Sequence, residues 1–418
     1  MSSPPQSRRW LNLFVLAIGN MVDTAETGLV NALFPALRHA LHMNLEALGL
    51  LTAIGKLSRM IFGPLWSMAA DRWNRKFLMF LVTGVWGFWT VAAGFAQNET
   101  QLLVLYALGS IGTVATEPLT ASITSDLFPA QERGKAFGAL RAIGGLGFVI
   151  LAPIIGLLSR SPEGWRWAMF LLGGLSIVSG LLILAFFRDP GRGASEENDV
   201  GNDRLHWDDL KHLAKNRTIW FIAVSLLFTT SPVMISFAVT FMVDVRGFSN
   251  AEATFVLAVF IAGFIGSSLL GGWLGDRAHA RWGAYGRVRL MQAYLVLFAV
   301  MSFLCLQIEW PHWAYYPLFL VFGLISSIGM PGSVMPLVSA SVAPEVRSTA
   351  FGFLFSFVHG GITAALSVAV GWLGQAYGLP SAVLWLTTVA YTINALLWVV
   401  GRKWAFLPVE ASEPPSGL

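Results

Sequence analysis

Long apolar runs recur along the whole chain, and they constrain its fold more than any other feature. A helix needs roughly 20 mainly apolar residues to cross the hydrocarbon layer of a bilayer. Twelve such runs are legible, at about 11–37, 46–70, 77–97, 101–127, 135–159, 165–187, 217–243, 252–275, 287–308, 313–341, 347–375 and 380–401. Strands of a membrane barrel would be about ten residues long and strictly alternating. Phe77 to Ala96 and Leu290 to Leu306 do not alternate, so the spans are helices. Charged residues make up only 12% of the chain, about half the share usual in soluble domains, and an ordinary cytosolic enzyme is excluded. The single cysteine, Cys305, leaves no disulfide framework and no cysteine-ligated metal site. No metal or other cofactor is expected. The net charge of +4 is too small and too scattered for a nucleic-acid partner.

Basic residues set the expected orientation. With the N-terminus inside, 20 of the 27 Lys and Arg fall in cytoplasmic segments and four (Arg38, Arg160, Arg166, Arg246) in outer loops. Both termini are therefore expected in the cytoplasm, with an even number of spans. Met1 to Arg9 leads straight into a span too long for a signal-peptide core, so no cleavable leader is expected. The expected location is a bacterial inner membrane. The longest polar stretch separates residues 1–187 from 217–401, six spans each, with a tail at 402–418. Within the linker 188–216, Trp207, Leu210 and Leu213 are spaced three apart, as in a short amphipathic helix lying on the membrane face.

The two halves repeat each other. Arg133-Gly134-Lys135-Ala136-Phe137-Gly138 after the fourth span parallels Arg347-Ser348-Thr349-Ala350-Phe351-Gly352 after the tenth. Ala70-Asp71-Arg72 after the second parallels Gly275-Asp276-Arg277 after the eighth. Parallel six-helix repeats around a central site are a transporter architecture.

With these motifs the chain resembles the major facilitator superfamily over nearly its whole length. That family's loop signature, G-x-x-x-D-R-x-G-R-[KR], is matched in its charges by Ser67 to Lys76, although both glycines are replaced. Asp126-Leu127-Phe128-Pro129 followed by Arg133 looks like the family's loop after span four. Asn20-x-x-Asp23, Gly49-Leu50-Leu51 leading to Gly63-Pro64, and Gly272-Trp273-Leu274 are similar to the Spinster-like branch. That branch usually follows the first-span Asp with Arg, where this chain has Thr24, and carries a Glu near Thr113, here one turn later at Glu117. The resemblance implies an all-α membrane fold of twelve helices in two pseudo-symmetric six-helix bundles. It also implies a gate: Asp71 latching onto the start of span eleven when the cytoplasmic side closes, Arg75 near Asp126, and Asp276 mirroring Asp71 near span five. Arg72, Arg133 and Arg277 belong to the same gating loops. The bland alternative is that these charges anchor loops among lipid headgroups.

Charges inside the spans are the most informative feature, because each costs about 2.5–3.5 kcal/mol on insertion scales and faces the bundle interior. The first half holds six (Asp23, Glu26, Lys56, Arg59, Glu117, Arg141) and the second only His359. Depth along each helix suggests Asp23 and Glu26 grouped with Lys56 and Arg59, and Glu117 with Arg141. Polar stripes run along Asn20, Asp23, Thr27 and Asn31, along Thr52, Lys56, Arg59 and Gly63, and along Thr113, Glu117, Thr120 and Thr124. A set of structural ion pairs is the bland reading, yet buried pairs seldom add net stability over apolar packing. The functional reading makes Asp23 or Glu26, and next Glu117, the acid that exchanges protons. Lys56 and Arg59 then contact an anionic or zwitterionic substrate. Arg141, Asn20, His359, Tyr391 and Asn394 join them as candidate binding residues, and Ser231, Ser236 and Ser333 as polar lining. Pro118, Pro232 and Met330-Pro331-Gly332 mark expected breaks in spans four, seven and ten.

No phosphate-binding loop and no catalytic constellation is present, so neither ATP drive nor an embedded enzyme is expected. The leading expectation is a proton-coupled secondary transporter moving a small anionic, zwitterionic or amphipathic organic solute by alternating access. Its partners are that solute, protons and the lipid bilayer, and a monomer is expected. The alternatives are a proton-driven multidrug exporter and, from another class, a non-transporting receptor or scaffold.

Overall fold

The computed structural model describes residues 6–128, 130–158, 161–191, 215–342 and 350–405. Twelve long helices follow one another: α1 (Gln6–Leu41), α2 (Leu45–Arg72), α3 (Arg75–Ala93), α4 (Glu99–Thr124), α5 (Ala130–Leu158), α6 (Gly164–Phe186), α7 (Arg217–Arg246), α8 (Asn250–Trp282), α9 (Ala284–Leu306), α10 (His312–Ser341), α11 (Gly352–Tyr377) and α12 (Leu379–Gly401). Ten of these positions carry helices both long and apolar enough to cross a membrane. The other two, α2 and α5, have 28 and 29 residues, about 42 Å of helix at 1.5 Å per residue. Along α2 the sequence carries five charged residues, Glu46, Lys56, Arg59, Asp71 and Arg72. The expected amphipathic stretch of the linker and nearly all of the tail lie outside the described residues.

Side chains define the helix starts. Asn44 accepts from the Ala47 amide at 3.0 Å to cap α2, Asn98 caps α4, and Ser249 with Glu252 forms a reciprocal capping box on α8. Two helices are broken where a proline removes a donor. In α4 the helix stops at Thr113 and restarts at Thr116, just before Pro118. In α7 it stops at Leu227 and restarts at Ser231, beside Pro232. Span ten bends through a π-helical turn at Met330–Val334, and further π-helical turns occupy Phe80–Val85 in α3, Gly352–Val358 in α11 and Leu384–Val389 in α12. Such turns concentrate at functional sites.

The helices run alternately up and down, so one side holds the ends near the described termini and the other the α1–α2, α3–α4 and later turns. We call these the terminus side and the far side. On the far side the halves are sealed. Backbones of α2 and α11 approach so closely that a Cβ on Gly49 would lie 2.7 Å from the Ser367 carbonyl oxygen, and one on Gly371 2.7 Å from that of Leu45. Small residues permit this contact between membrane helices. The Leu45 amide donates to Gln375 Oε1 at 3.4 Å, Gly156 of α5 meets Ala251 and Thr254 of α8, and Arg38 of α1 pairs with Asp244 of α7. These contacts between the halves reach from the far ends to about the level of Met60 beside Gly361 and Gly145 beside Ile265. Nearer the terminus side, the tight contacts among the described residues hold each half to itself. Asn12 bonds the main chain of Arg188 at 2.9 and 3.2 Å, and Arg287 of α9 bonds Asp276 of α8 at 3.0 Å.

Candidate functional site

A cavity of about 370 Å³ lies between the halves beneath the far-side seal, lined from seven helices, α1 to α4, α6, α7 and α11. On α2, Thr52, Lys56 and Arg59 recur every three or four residues and all face it. Arg59 pairs with Glu117 across the break in α4, and their side chains remain 53% and 65% accessible. This corrects the depth-based placing of Arg59 with the first-span acids. A long arginine side chain crosses the difference in level, and the interruption of α4 alters the helical course between Thr113 and Glu117. The Arg141 side chain lies outside the described residues.

Lys56 has neither ion pair nor hydrogen bond among the described residues. Its charged neighbours are Arg59, one turn along, and His359 on α11 of the other half. His359 Nε2 donates to the Thr229 carbonyl at 3.2 Å. That carbonyl sits in the break of α7, where the following amides bond to Thr230 instead. A backbone group freed inside a membrane needs such a partner.

The two acids of α1 are held by hydroxyls alone among the described residues. Glu26 lines the cavity, is 9% exposed, and accepts from Thr90 of α3 and from Ser176 of α6 at 2.9 Å. Asp23, 5% exposed, sits behind the lining and accepts from Thr83 at 3.3 Å. Thr83 lies in the π-helical turn of α3 and shares a 3.3 Å contact with Thr116 of α4. A hydroxyl can donate to a carboxylate or accept from a carboxylic acid. Both acids therefore have partners that suit either protonation state.

Several expected binding residues lie elsewhere. Tyr391 is fully buried in the second half and stacks on Phe298 with ring centroids 3.7 Å apart. Asn394 exchanges hydrogen bonds with Ser225 at 2.8 and 3.0 Å. Both belong to the core between α12, α7 and α9, because α12 packs against its own bundle rather than at the boundary of the halves. Asn20 stands against Gly144 of α5, off the cavity wall. Ser236 lines the cavity, whereas Ser231 and Ser333 do not; Ser333 donates to the Arg287 carbonyl at 2.7 Å. The expected stripe on α4 divides. Thr113 faces the cavity, while Thr120 and Thr124 are buried and bond back to the carbonyls of Thr116 and Thr120 at 2.6 and 2.7 Å.

Tyr106, Trp89, Thr90, Thr83 and Ser176 were absent from the expected set. Tyr106 had a readable signal: Tyr106, Ser110, Thr113 and Glu117 are spaced four, three and four apart, a single helical face. Ser176 had none, because a lone serine in an apolar helix looks like packing.

Of the gating loops, Arg75 is almost fully buried and bonds Asp126 and also Asp189, the latter at 2.9 and 3.3 Å. Arg72 is exposed, Arg277 lies over the ring of Trp273, and Asp276 is 79% accessible beside Arg287. The side chains of Asp71 and Arg133 lie outside the described residues.

The Major Facilitator Superfamily model matches residues 16–365. Spinster homolog 1 of Homo sapiens is 28% identical over 232 residues, 53% of this chain and 43% of that protein, so this chain spans less than half the length of that relative. The probable galactarate/D-glucarate transporter GudP of Escherichia coli (strain K12) is 25% identical over 364 residues, 79% of each chain. A solved bacterial homolog of the human lysosomal transporter Spinster, inward-facing and occupied, superposes with a TM-score of 0.79 at 20% identity, covering 96% of this chain and 98% of that one; at that identity the likeness speaks for the fold. On these grounds the chain is a multi-pass membrane protein, is similar to the Spinster-like branch, and belongs to the Major Facilitator Superfamily.

Proposed function

We propose that this protein is a proton-coupled secondary transporter of a small anionic or zwitterionic organic solute, held here open to the cytoplasm. The observation that carries the reading is Lys56, a cation in a cavity between the halves without an ion-pair partner among the described residues. Arg59, one turn along α2, and the imidazole of His359 share the cavity with it. An anionic group placed there gains the counter-charge the protein does not itself supply, and Arg59 is suited to share a carboxylate or phosphate. Galactarate and glucarate, named for the relative in Escherichia coli, are anions of this kind.

Orientation follows from the 20-to-4 distribution of basic residues. It makes the terminus side cytoplasmic, in a bacterial inner membrane, and the sealed far side external. Asp23 and Glu26 supply protonation sites whose hydroxyl partners suit both states, and Glu117 becomes a third whenever Arg59 turns to the substrate. The exposed Asp276 then belongs to an open latch, and Asp71, Arg72, Arg133 and Arg277 to the loops that close it.

Purified protein in liposomes tests the proposal. Flux of an organic anion should follow an imposed pH difference, and neutralising Lys56 and Arg59 together should abolish it while a neutral analogue still binds. Binding without flux would instead identify a receptor, and equal loss of anion and neutral analogue would make the two cations structural.

A further inference from the structure

We infer that the transported anion carries a hydroxyl beside its charged group, and that His359 reads that hydroxyl through Nδ1. The inference deepens the anionic reading and rests on it.

The argument starts from the break in α7. Its Thr229 carbonyl can only accept, so the His359 nitrogen 3.2 Å away, Nε2, must carry the hydrogen. Lys56, without an ion-pair partner among the described residues, lines the same cavity from α2, and a second positive charge facing it would be opposed by Coulomb repulsion. The ring is therefore neutral, and a neutral imidazole with hydrogen on Nε2 presents Nδ1 as an acceptor. Nδ1 has no donor among the described residues. Thr363, one turn along α11, directs its hydroxyl to the carbonyls of His359 and Gly360 at 2.8 and 3.1 Å, not to the ring. The tautomer is thus set by the proline break of α7, which leaves the acceptor for the cavity.

Two complementary groups then face one space from opposite halves: an ammonium at Lys56 that takes an anion, and an imidazole nitrogen at His359 that takes a donor. A 2-hydroxy acid satisfies both with adjacent atoms, carboxylate to Lys56 and hydroxyl to Nδ1. Around them Trp89, Leu105, Met169 and Phe355 offer apolar wall for the rest of the molecule. A simple carboxylate lacking the hydroxyl leaves Nδ1 unpaired in a desolvated site, which is where discrimination arises. Because the two contacts come from α2 and α11, such a ligand also ties the halves together at the level where their packing ends.

The test uses acids differing by one hydroxyl, mandelate against phenylacetate and 2-hydroxyoctanoate against octanoate, titrated onto the purified full chain by calorimetry. The hydroxy acid of each pair should bind about 5- to 10-fold tighter, the range expected of one net hydrogen bond. His359→Leu should erase the difference within each pair. His359→Gln should keep part of it, since an amide can donate to Thr229 and still offer an oxygen. Lys56→Gln should weaken both members alike, and melting curves of all variants verify folding. Equal binding of hydroxy and plain acids to the native protein overturns the hydroxyl inference and leaves the anionic reading standing. Failure of every acid in both sets overturns both.

Discussion

The far-side seal should respond sharply to a single methyl group. Gly371 of α11 faces the start of α2, and a Cβ built there falls 2.7 Å from the Leu45 carbonyl oxygen and 3.2 Å from the Cα atoms of Glu46 and Gly49. All three neighbours are backbone, so no side chain can rotate away and the helices themselves must separate. Overpacking of this kind costs about 1–3 kcal/mol. The clash exists only while α2 and α11 are in contact on the far side, so the cost falls on this conformation and not on one opened there. Gly371→Ala should therefore move the balance between the two about 5- to 150-fold towards far-side opening. The single native cysteine is buried, which makes introduced cysteines clean reporters. Spin labels at His42 and Tyr377, both exposed and at far ends of the two halves, should report a longer distance population in Gly371→Ala. Gly49→Ala should act similarly, its Cβ meeting the Ser367 carbonyl at 2.7 Å. The double variant should show less than the sum, because the two sites share one contact. An unchanged distance distribution in a folded Gly371→Ala protein would refute the idea that this backbone contact holds the far side shut.

Other consequences can be measured separately. Lys56→Gln removes a cation that has no ion-pair partner among the described residues, so its melting temperature should equal or exceed that of the native chain while anion binding disappears; a marked fall would reveal a structural role. Asp23→Asn and Glu26→Gln keep a carbonyl oxygen for the hydroxyls of Thr83, Thr90 and Ser176, so substrate exchange across liposomes should persist while accumulation driven by a pH difference is lost in at least one of them. Retained accumulation in both would move proton coupling to Glu117. Arg75→Ala removes the buried guanidinium that bonds both Asp126 and Asp189 and should cost about 3 kcal/mol, read as a lowered melting temperature in detergent. Asp244→Asn removes only a partly exposed ion pair with Arg38 and should shift the spin-label distances by less than about 1 kcal/mol equivalent, with recovery in the charge-swapped pair Arg38→Asp, Asp244→Arg.

Much of the architecture was readable before any coordinates. The length of each apolar run determines that it spans, and bilayer physics requires it to be a helix, because no water is available to satisfy an open backbone. The same logic marked Pro118 and Pro232 as breaks. It also singled out Lys56, Arg59, Glu26 and Glu117 as interior groups, since an ionisable residue in a span must find a polar environment. Tyr106 was equally legible by spacing, since it shares one helical face with Ser110, Thr113 and Glu117.

Pairing was not legible. Depth along a helix says how far a group lies from the membrane surface but not which neighbour it faces, so Arg59 was placed with the first-span acids when it reaches Glu117. Tyr391 and Asn394 show the same limit: a polar residue within a span can lodge in its own bundle, as Tyr391 does against the ring of Phe298 and Asn394 does on Ser225, as readily as in a cavity. The chain alone determined the membrane helices, the two halves and the stock of buried charge, because those follow from composition and period along one dimension. Only the packed bundle decided that Lys56 goes without an ion pair among the described residues, that two acids rest on hydroxyls and that the far side is shut, because each of these depends on which helix faces fill the same space.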